Sequence, residues 1–262
     1  KSKSDVRAVA RAAVRAAAES RDSQDICFIL DGEYTDYLAR QGLRCVDMLE
    51  LLRRDSGSVR YAGRDGLLLW DKESGAWFLS ARSEEDLNRA LALIPREARL
   101  ATCHEDWYLD AVERHLGLKG GAFFQSVWTK EQPPELPPFQ GELRRLGPEW
   151  AERVAEAYCQ TFGDVDYILG AIDRGMLGLF DGEKLAGFIG VHDEGSLGML
   201  EVLPPYRRRG YGLVLQLAII RAALAEGRYA YGQVAEHNAA SLALQQKAGM
   251  TVCPEKIYWF ME

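Results

Sequence analysis

Apolar residues change their spacing along this chain, and the changes mark out its elements. VRAVARAAVRAAAE, Val6–Glu19, is rich in alanine and arginine with an apolar stripe at helical spacing, so a helix is expected there. ICFIL, Ile26–Leu30, is a continuous apolar run that predicts a short buried strand. Tyr34–Gln41 and Cys45–Arg53 return to helical spacing. Gly66–Trp70 and Ala76–Ala81 flank the turn Asp71-Lys72-Glu73-Ser74-Gly75 and predict a hairpin. Ser83, with Asp86 three residues on, is an acidic capping box that opens a helix to Leu93. A strand at Arg99–Cys103 and a helix from Glu105 to Leu116 follow, and the alternation reads as an α/β domain.

EQPPELPPFQ, Glu131–Gln140, holds four of the nine prolines and leaves no room for a helix or a central strand. It divides the chain into an N-terminal α/β domain, residues 1–130, a linker, 131–140, and a C-terminal domain, 141–262. The second domain reads as a strand at Leu143–Leu146, a helix at Pro148–Phe162, a helix at Asp164–Arg174 and a hairpin of Met176–Phe180 with Leu185–His192. An apolar strand at Leu197–Leu203 and a long helix from near Gly212 come next. A strand at Tyr229–Val234, a helix at Asn238–Ala248 and a strand at Lys256–Met261 complete the pattern.

The most informative chemistry lies between that apolar strand and the long helix, where Pro204 and Pro205 lead into Arg207-Arg208-Arg209-Gly210-Tyr211-Gly212. Gly210 and Gly212 permit backbone angles closed to other residues and let a ligand reach the main chain. The unpaired N–H groups and positive dipole end of the following helix suit an anion, and the arginines add charge. A phosphate or pyrophosphate is the expected guest. A dinucleotide fingerprint would need a third glycine where Leu215 stands, and no Gly-Lys-Ser or Gly-Lys-Thr follows to make a P-loop.

Arg207, Gly210 and Gly212 resemble the Arg-x-x-Gly-x-Gly signature of the GNAT superfamily of acyl-CoA-dependent N-acyltransferases. Asn238-Ala239-Ala240-Ser241, then Leu244, Lys247, Gly249 and Met250, is similar to the family's Asn-x-x-Ala/Ser…Leu-Tyr-x-Lys-x-Gly-Phe segment. Met250 replaces the phenylalanine, and Gln245 stands where the tyrosine is expected. The resemblance covers Gly141–Glu262 and implies the mixed α/β sheet of the GNAT fold. The N-terminal half, with hairpin and helices in compatible order but no Arg-x-x-Gly-x-Gly, reads as a degenerate second copy. It is expected to shape the acceptor pocket or to make an oligomer contact such as a homodimer. Gln233-Val234 leading to Asn238 and Ser241-Leu242 is most similar to the glycine N-acyltransferase-like branch.

The resemblance implies acetyl-CoA or another acyl-CoA as cofactor and an amine of a small molecule or peptide as acceptor. The pyrophosphate would rest on the backbone of Arg208, Arg209, Gly210, Tyr211 and Gly212, with the side chains of Arg207, Arg208 and Arg209 adding charge. The pantetheine arm would pair with Leu200, Val202 and Leu203, a strand N–H would meet the thioester oxyanion, and Asn238, Ser241 and Lys247 would flank the cofactor. The acceptor ammonium must lose a proton before attack. Glu201 is the candidate base, since a carboxylate in an apolar strand either works or pairs with a cation. By alternation it shares a face with Met199 and Leu203, opposite Leu200 and Val202. The family often protonates the departing thiolate with a tyrosine, which Gln245 cannot do. Tyr258 or Tyr211 substitutes, solvent serves, or the domain binds acyl-CoA without turnover. Asp164, Asp166 and Tyr167 are expected at the acceptor pocket or at a solvated helix start.

At 262 residues and 47% apolar content the chain can bury a real core, and its net charge of −7 argues against nucleic acid or an anionic membrane as the main partner. Five scattered cysteines without Cys-x-x-Cys, and four histidines without a helical pair, predict neither disulfides nor a metal site. His192 and His237 fit no nucleophile arrangement, and Cys159 is expected in the core. No run suits a bilayer span or a signal-peptide core, and a cytoplasmic location is expected.

Overall fold

The computed structural model describes residues 33–158 and 164–262. The expected helix at Val6–Glu19, the strand at Ile26–Leu30 and Cys159 lie outside the described residues. The chain begins with α1 (Glu33–Gln41), a 3-10 turn at Gly42–Cys45 and α2 (Val46–Arg53). β1 (Gly57–Gly63), β2 (Gly66–Asp71), β3 (Trp77–Ala81), α3 (Glu84–Leu91), β4 (Leu100–Cys103), α4 (Leu109–Leu116) and β5 (Gly120–Val127) follow. Then come β6 (Glu142–Arg145), a 3-10 turn at Pro148–Trp150, α5 (Ala151–Ala157), α6 (Val165–Asp173), β7 (Leu177–Asp181), β8 (Lys184–Val191) and β9 (Leu197–Val202). A 3-10 turn at Pro204–Tyr206, α7 (Tyr211–Ala225), β10 (Tyr231–Ala235), α8 (Ala239–Ala248) and β11 (Thr251–Met261) end the chain.

Two units result. Of the described residues, unit 1 holds 33–127, Val234–Asn238 and Val252–Glu262, and unit 2 holds the rest from Trp128 to Gln233 with Ala239–Thr251. The expected domain of 141–262 therefore gives two segments to unit 1. The reason is sheet pairing. β4 has β3 alongside it in parallel, and β11 pairs antiparallel with β4, setting Tyr258 opposite Cys103 and Phe260 opposite Ala101. Phe260, fully buried, joins Leu68, Leu79, Leu87 and Val112 in one apolar cluster. The sheet order is β1-β2-β3-β4-β11-β5-β10.

Unit 1 also corrects a helix start. The helix expected from Glu105 begins only at Leu109, because Glu105 is drawn inside. Its carboxylate accepts from Ala81 N at 3.2 Å, Ser80 Oγ at 3.0 Å and Tyr108 OH at 2.6 Å. Beside it, His104 and Asp47 are both fully buried, with Nε2 at 2.9 Å from the carboxylate and Nδ1 at 2.9 Å from Leu79 O. Both neighbours of the ring are acceptors, so both nitrogens donate and the imidazole is cationic. Burial opposes that charge, and the Asp47 carboxylate more than offsets it, raising the His104 pKa.

Unit 2 is an antiparallel sheet in the order β6-β7-β8-β9. One face packs against α7, whose Val214, Leu215, Leu217, Ile219 and Ile220 are all buried, and the other packs against α5 and α6 through Val154, Ile168 and Phe188. α5 is shorter than the expected Pro148–Phe162 helix. Tyr158 leaves it with extended angles, φ −86° and ψ 95°. Among the described residues no helix is long and apolar enough to cross a membrane.

Candidate functional site

The basic glycine turn forms the entrance to α7. Gly210 adopts φ 82°, and no side chain caps the helix. Leu213 and Val214 N–H both donate to Gly210 O, at 3.0 and 3.2 Å, so helix geometry leaves the N–H groups of Tyr211 and Gly212 without an intrahelical acceptor. A Cβ on Gly210 would meet nothing within 4 Å, and Gly210 itself is exposed. Gly212 is enclosed instead, with Val202 and Leu244 each 3.8 Å from where its Cβ would stand. The end of β9, the start of α7 and the middle of α8 thus converge on one turn.

The arginines divide their work. Arg207 is tied back to β9, donating from Nε to Val202 O at 2.9 Å and from its guanidinium to Glu201 Oε1 at 3.0 Å. Arg209 lies over the Tyr206 ring at 5.5 Å and stands 4.0 Å from Asp181. Arg208 is exposed, holds a left-handed φ of 65°, and makes no ion pair among the described residues. A non-glycine residue in that region costs about 1–2 kcal/mol. Tyr211 is buried in the core under α7.

β9 is an edge strand with a bulge. Its register against β8 slips between Phe188 and Gly190, and Met199 takes φ 56°. Leu203 N donates to Ala186 O, which by antiparallel alternation turns the N–H and C=O of Val202 away from β8. The bond from Arg207 to that carbonyl agrees. Leu200 and Val202 pack against the cluster under α7, whereas Met199 belongs to the cluster under α5 and α6. Glu201 is held by Arg207. Burial, with Glu201's charge adding, pushes the Tyr158 phenol up to about 12.

One pairing has no counterpart in the sequence reading. Tyr167 of α6 places its OH 2.6 Å from Nδ1 of His192, at the end of β8. Burial raises the Tyr167 pKa, and the carboxylates of Glu194 and Asp193 raise it further. The two residues are 25 positions apart with no shared motif, so spacing could not have announced the pair. Asp164 caps α6 by accepting from Asp166 N at 2.9 Å, and Asp166 is exposed.

Residues 176–260 match the family described as FR47-like protein. The structure is similar to a protein from Drosophila, at a TM-score of 0.63 and 19% identity over 98% of this chain and 96% of that one. It is also similar to a GCN5-related N-acetyltransferase (GNAT) from Kribbella flavida, at a TM-score of 0.52 and 13% identity over 83% and 93%. The chain has the GNAT fold. No curated protein matches it.

Asn238 immediately precedes α8, Ser241 is half-buried in its first turn, and Lys247 is exposed near its end. Gln245, at the tyrosine position, is buried and donates from Nε2 to Gln216 Oε1 at 3.3 Å. Tyr258 belongs to unit 1, where it packs against the cluster containing Phe260. Glu201 belongs to unit 2.

Proposed function

We propose that this protein is an acyl-CoA-dependent N-acyltransferase that moves an acetyl group from acetyl-CoA to a primary amine of a small molecule or peptide, by direct attack in a ternary complex. The observation that carries this reading is the α7 entrance: an uncapped helix start behind an open left-handed glycine, with three arginines around it. An anion on such N–H groups gains about 0.3–1 kcal/mol from the dipole, and more when partly buried. Backbone N–H groups of the Arg208–Gly212 turn would hold the pyrophosphate, with Arg208 and Arg209 supplying charge. The outward N–H of Val202 is available to the pantetheine arm. Arg207 and Glu201 brace the strand against the turn. Within the superfamily we place the chain nearest the glycine N-acyltransferase-like branch, on Gln245 and the run from Gln233 into Asn238.

Gln245 also favours a second reading, a domain that binds acyl-CoA without turnover, since its amide is committed to Gln216 and carries no transferable proton. Release of CoA thiol during incubation with acetyl-CoA and a panel of primary amines separates the two. Amine-dependent thiol release establishes the transferase. Tight binding of acetyl-CoA with no release for any amine leaves the binding domain.

A further inference from the structure

We propose that His192 is the group that takes the proton from the acceptor ammonium, and that Tyr167 is the positioning residue that sets its ring. The inference rests on the acyltransferase reading. Three observations converge. The His192 ring is pinned by Tyr167 OH at Nδ1. Its other nitrogen lies over β9, where a Cβ on Gly198 would fall 2.4 Å from Nε2, so only glycine leaves room for the ring. Gly198 directly precedes Met199, the residue at which β9 bulges. The imidazole is therefore fixed against the strand that would face the thioester.

Acidic and phenolic groups lie near this pair. Asp193 and Glu194 follow His192 in the hairpin, Glu201 stands further along β9, and Tyr158, Tyr167 and Arg174 approach from the helices and the turn after α6. Arg174 is engaged, donating from Nε to Val191 O at 3.0 Å and pairing with Asp193. Glu201 is engaged with Arg207. Among the described residues, no hydrogen bond or ion pair occupies Nε2 of His192. A neutral imidazole has one ring nitrogen that accepts and one that donates, so with Nδ1 held by Tyr167 the other nitrogen can take a proton.

The tautomer follows from the role. For Nε2 to accept, Nδ1 must keep its hydrogen and donate it to the Tyr167 oxygen. The acceptor enters as R–NH3+, one proton passes to Nε2, and the freed lone pair forms the N–C bond to the acyl carbon as the C–S bond breaks. The nitrogen then loses a second proton, which neutralises the departing thiolate, and the imidazolium returns its proton to water. The balance is one amide, one CoA thiol and one released proton.

Two measurements on the full chain test this. Two-bond 1H–15N spectra, with His192 assigned through His192→Gln, should show the Nδ1–H tautomer at pH 8 and a change to Nε2–H in Tyr167→Phe. An Nε2–H tautomer in the unaltered protein overturns the proposal. In kinetics with acetyl-CoA and whichever of tyramine, benzylamine, glycine and spermidine is acetylated, His192→Gln should lower kcat/KM by about 10²–10⁴ at pH 7. The deficit should shrink toward pH 9.5 as the free amine supplies itself. Gly198→Ala should show the same pH-dependent loss by displacing the ring, and acetyl-CoA affinity should be unchanged in both. Unchanged kcat/KM and pH profile in His192→Gln overturn the proposal. Failure of the unaltered protein to bind acetyl-CoA would remove the acyltransferase reading itself, and this inference with it.

Discussion

Each unit carries a strand that turns into a helix, and the two helix entrances are charged in opposite senses. In unit 1, β3 passes through Arg82 and Ser83 into α3, where Ser83 Oγ accepts from Asp86 N at 3.1 Å and Glu84, Glu85 and Asp86 fill the first turn. The dipole is answered by the protein's own groups. In unit 2, β9 passes through Arg207, Arg208 and Arg209 into α7, with no side-chain cap and no acidic residue in the first turn. The strands differ likewise. Ala81 N at the end of β3 donates to the buried Glu105 carboxylate, whereas Val202 at the end of β9 turns its backbone outward. A similar order of elements has thus been closed in one unit and left open in the other. The difference between the two entrances lies in the residues of the turn and not in the order of elements.

The largest effect is expected at the buried charges that close unit 1. Asp47→Asn leaves the His104 cation without its partner, and chemical denaturation should show a loss of about 3–5 kcal/mol. A loss below about 1 kcal/mol would mean that the pair is not what holds that interior together. Next, Arg208→Glu with Arg209→Glu gives the α7 entrance the charge of the α3 entrance. Acetyl-CoA affinity should fall about 10–100-fold, at the scale of dipole and charge-assisted contacts, and the remaining affinity should lose most of its salt dependence. Ser83→Ala should cost about 1 kcal/mol of stability and leave acetyl-CoA affinity untouched.

The smallest effect is the pH dependence of unit 1. The folded pKa of His104 is raised, so its contribution is complete below the unfolded value near 6.5 and is lost as pH rises through the folded value. Tm should fall by a few degrees on going upward from about pH 6.5, and His104→Asn should flatten that part of the profile. A steeper profile in the variant would reverse the assignment.

What could be read from the sequence was what local chemistry decides. Ser83 and Asp86 announce their cap, Pro204 to Gly212 announce a glycine turn into a helix, and Leu197–Leu203 announces the strand before it. What could not be read was set at a distance. β1, Gly57–Gly63, carries the glycine-bounded sequence GSVRYAG, in which the apolar alternation is a single pair, Val59 and Tyr61, too short to signal a strand. The pairing of β11 with β4 depends on an edge more than 150 positions earlier in the chain, and no spacing rule links Phe260 to Ala101. Glu105 reads as the opening of an acidic helix start but is recruited inward by Ser80, Ala81 and Tyr108. The bulge at Met199 resets the strand's alternation at the point where the candidate chemistry begins, and Tyr167 meets His192 only through the packing of α6.

The central claim, that the α7 entrance is an acyl-CoA site, is met most directly by calorimetric titration of acetyl-CoA and CoA into the unaltered protein and Gly210→Trp. A Cβ at Gly210 would meet nothing within 4 Å, so the indole starts from open space beside the turn, and the left-handed φ of 82° makes the substitution cost about 1–2 kcal/mol, which is why the folded signal is read alongside binding. Micromolar binding that is lost in Gly210→Trp, with the folded signal retained, is the predicted result. Equal binding by both proteins, or no binding of acetyl-CoA, CoA or longer acyl-CoAs by the unaltered chain, would contradict it.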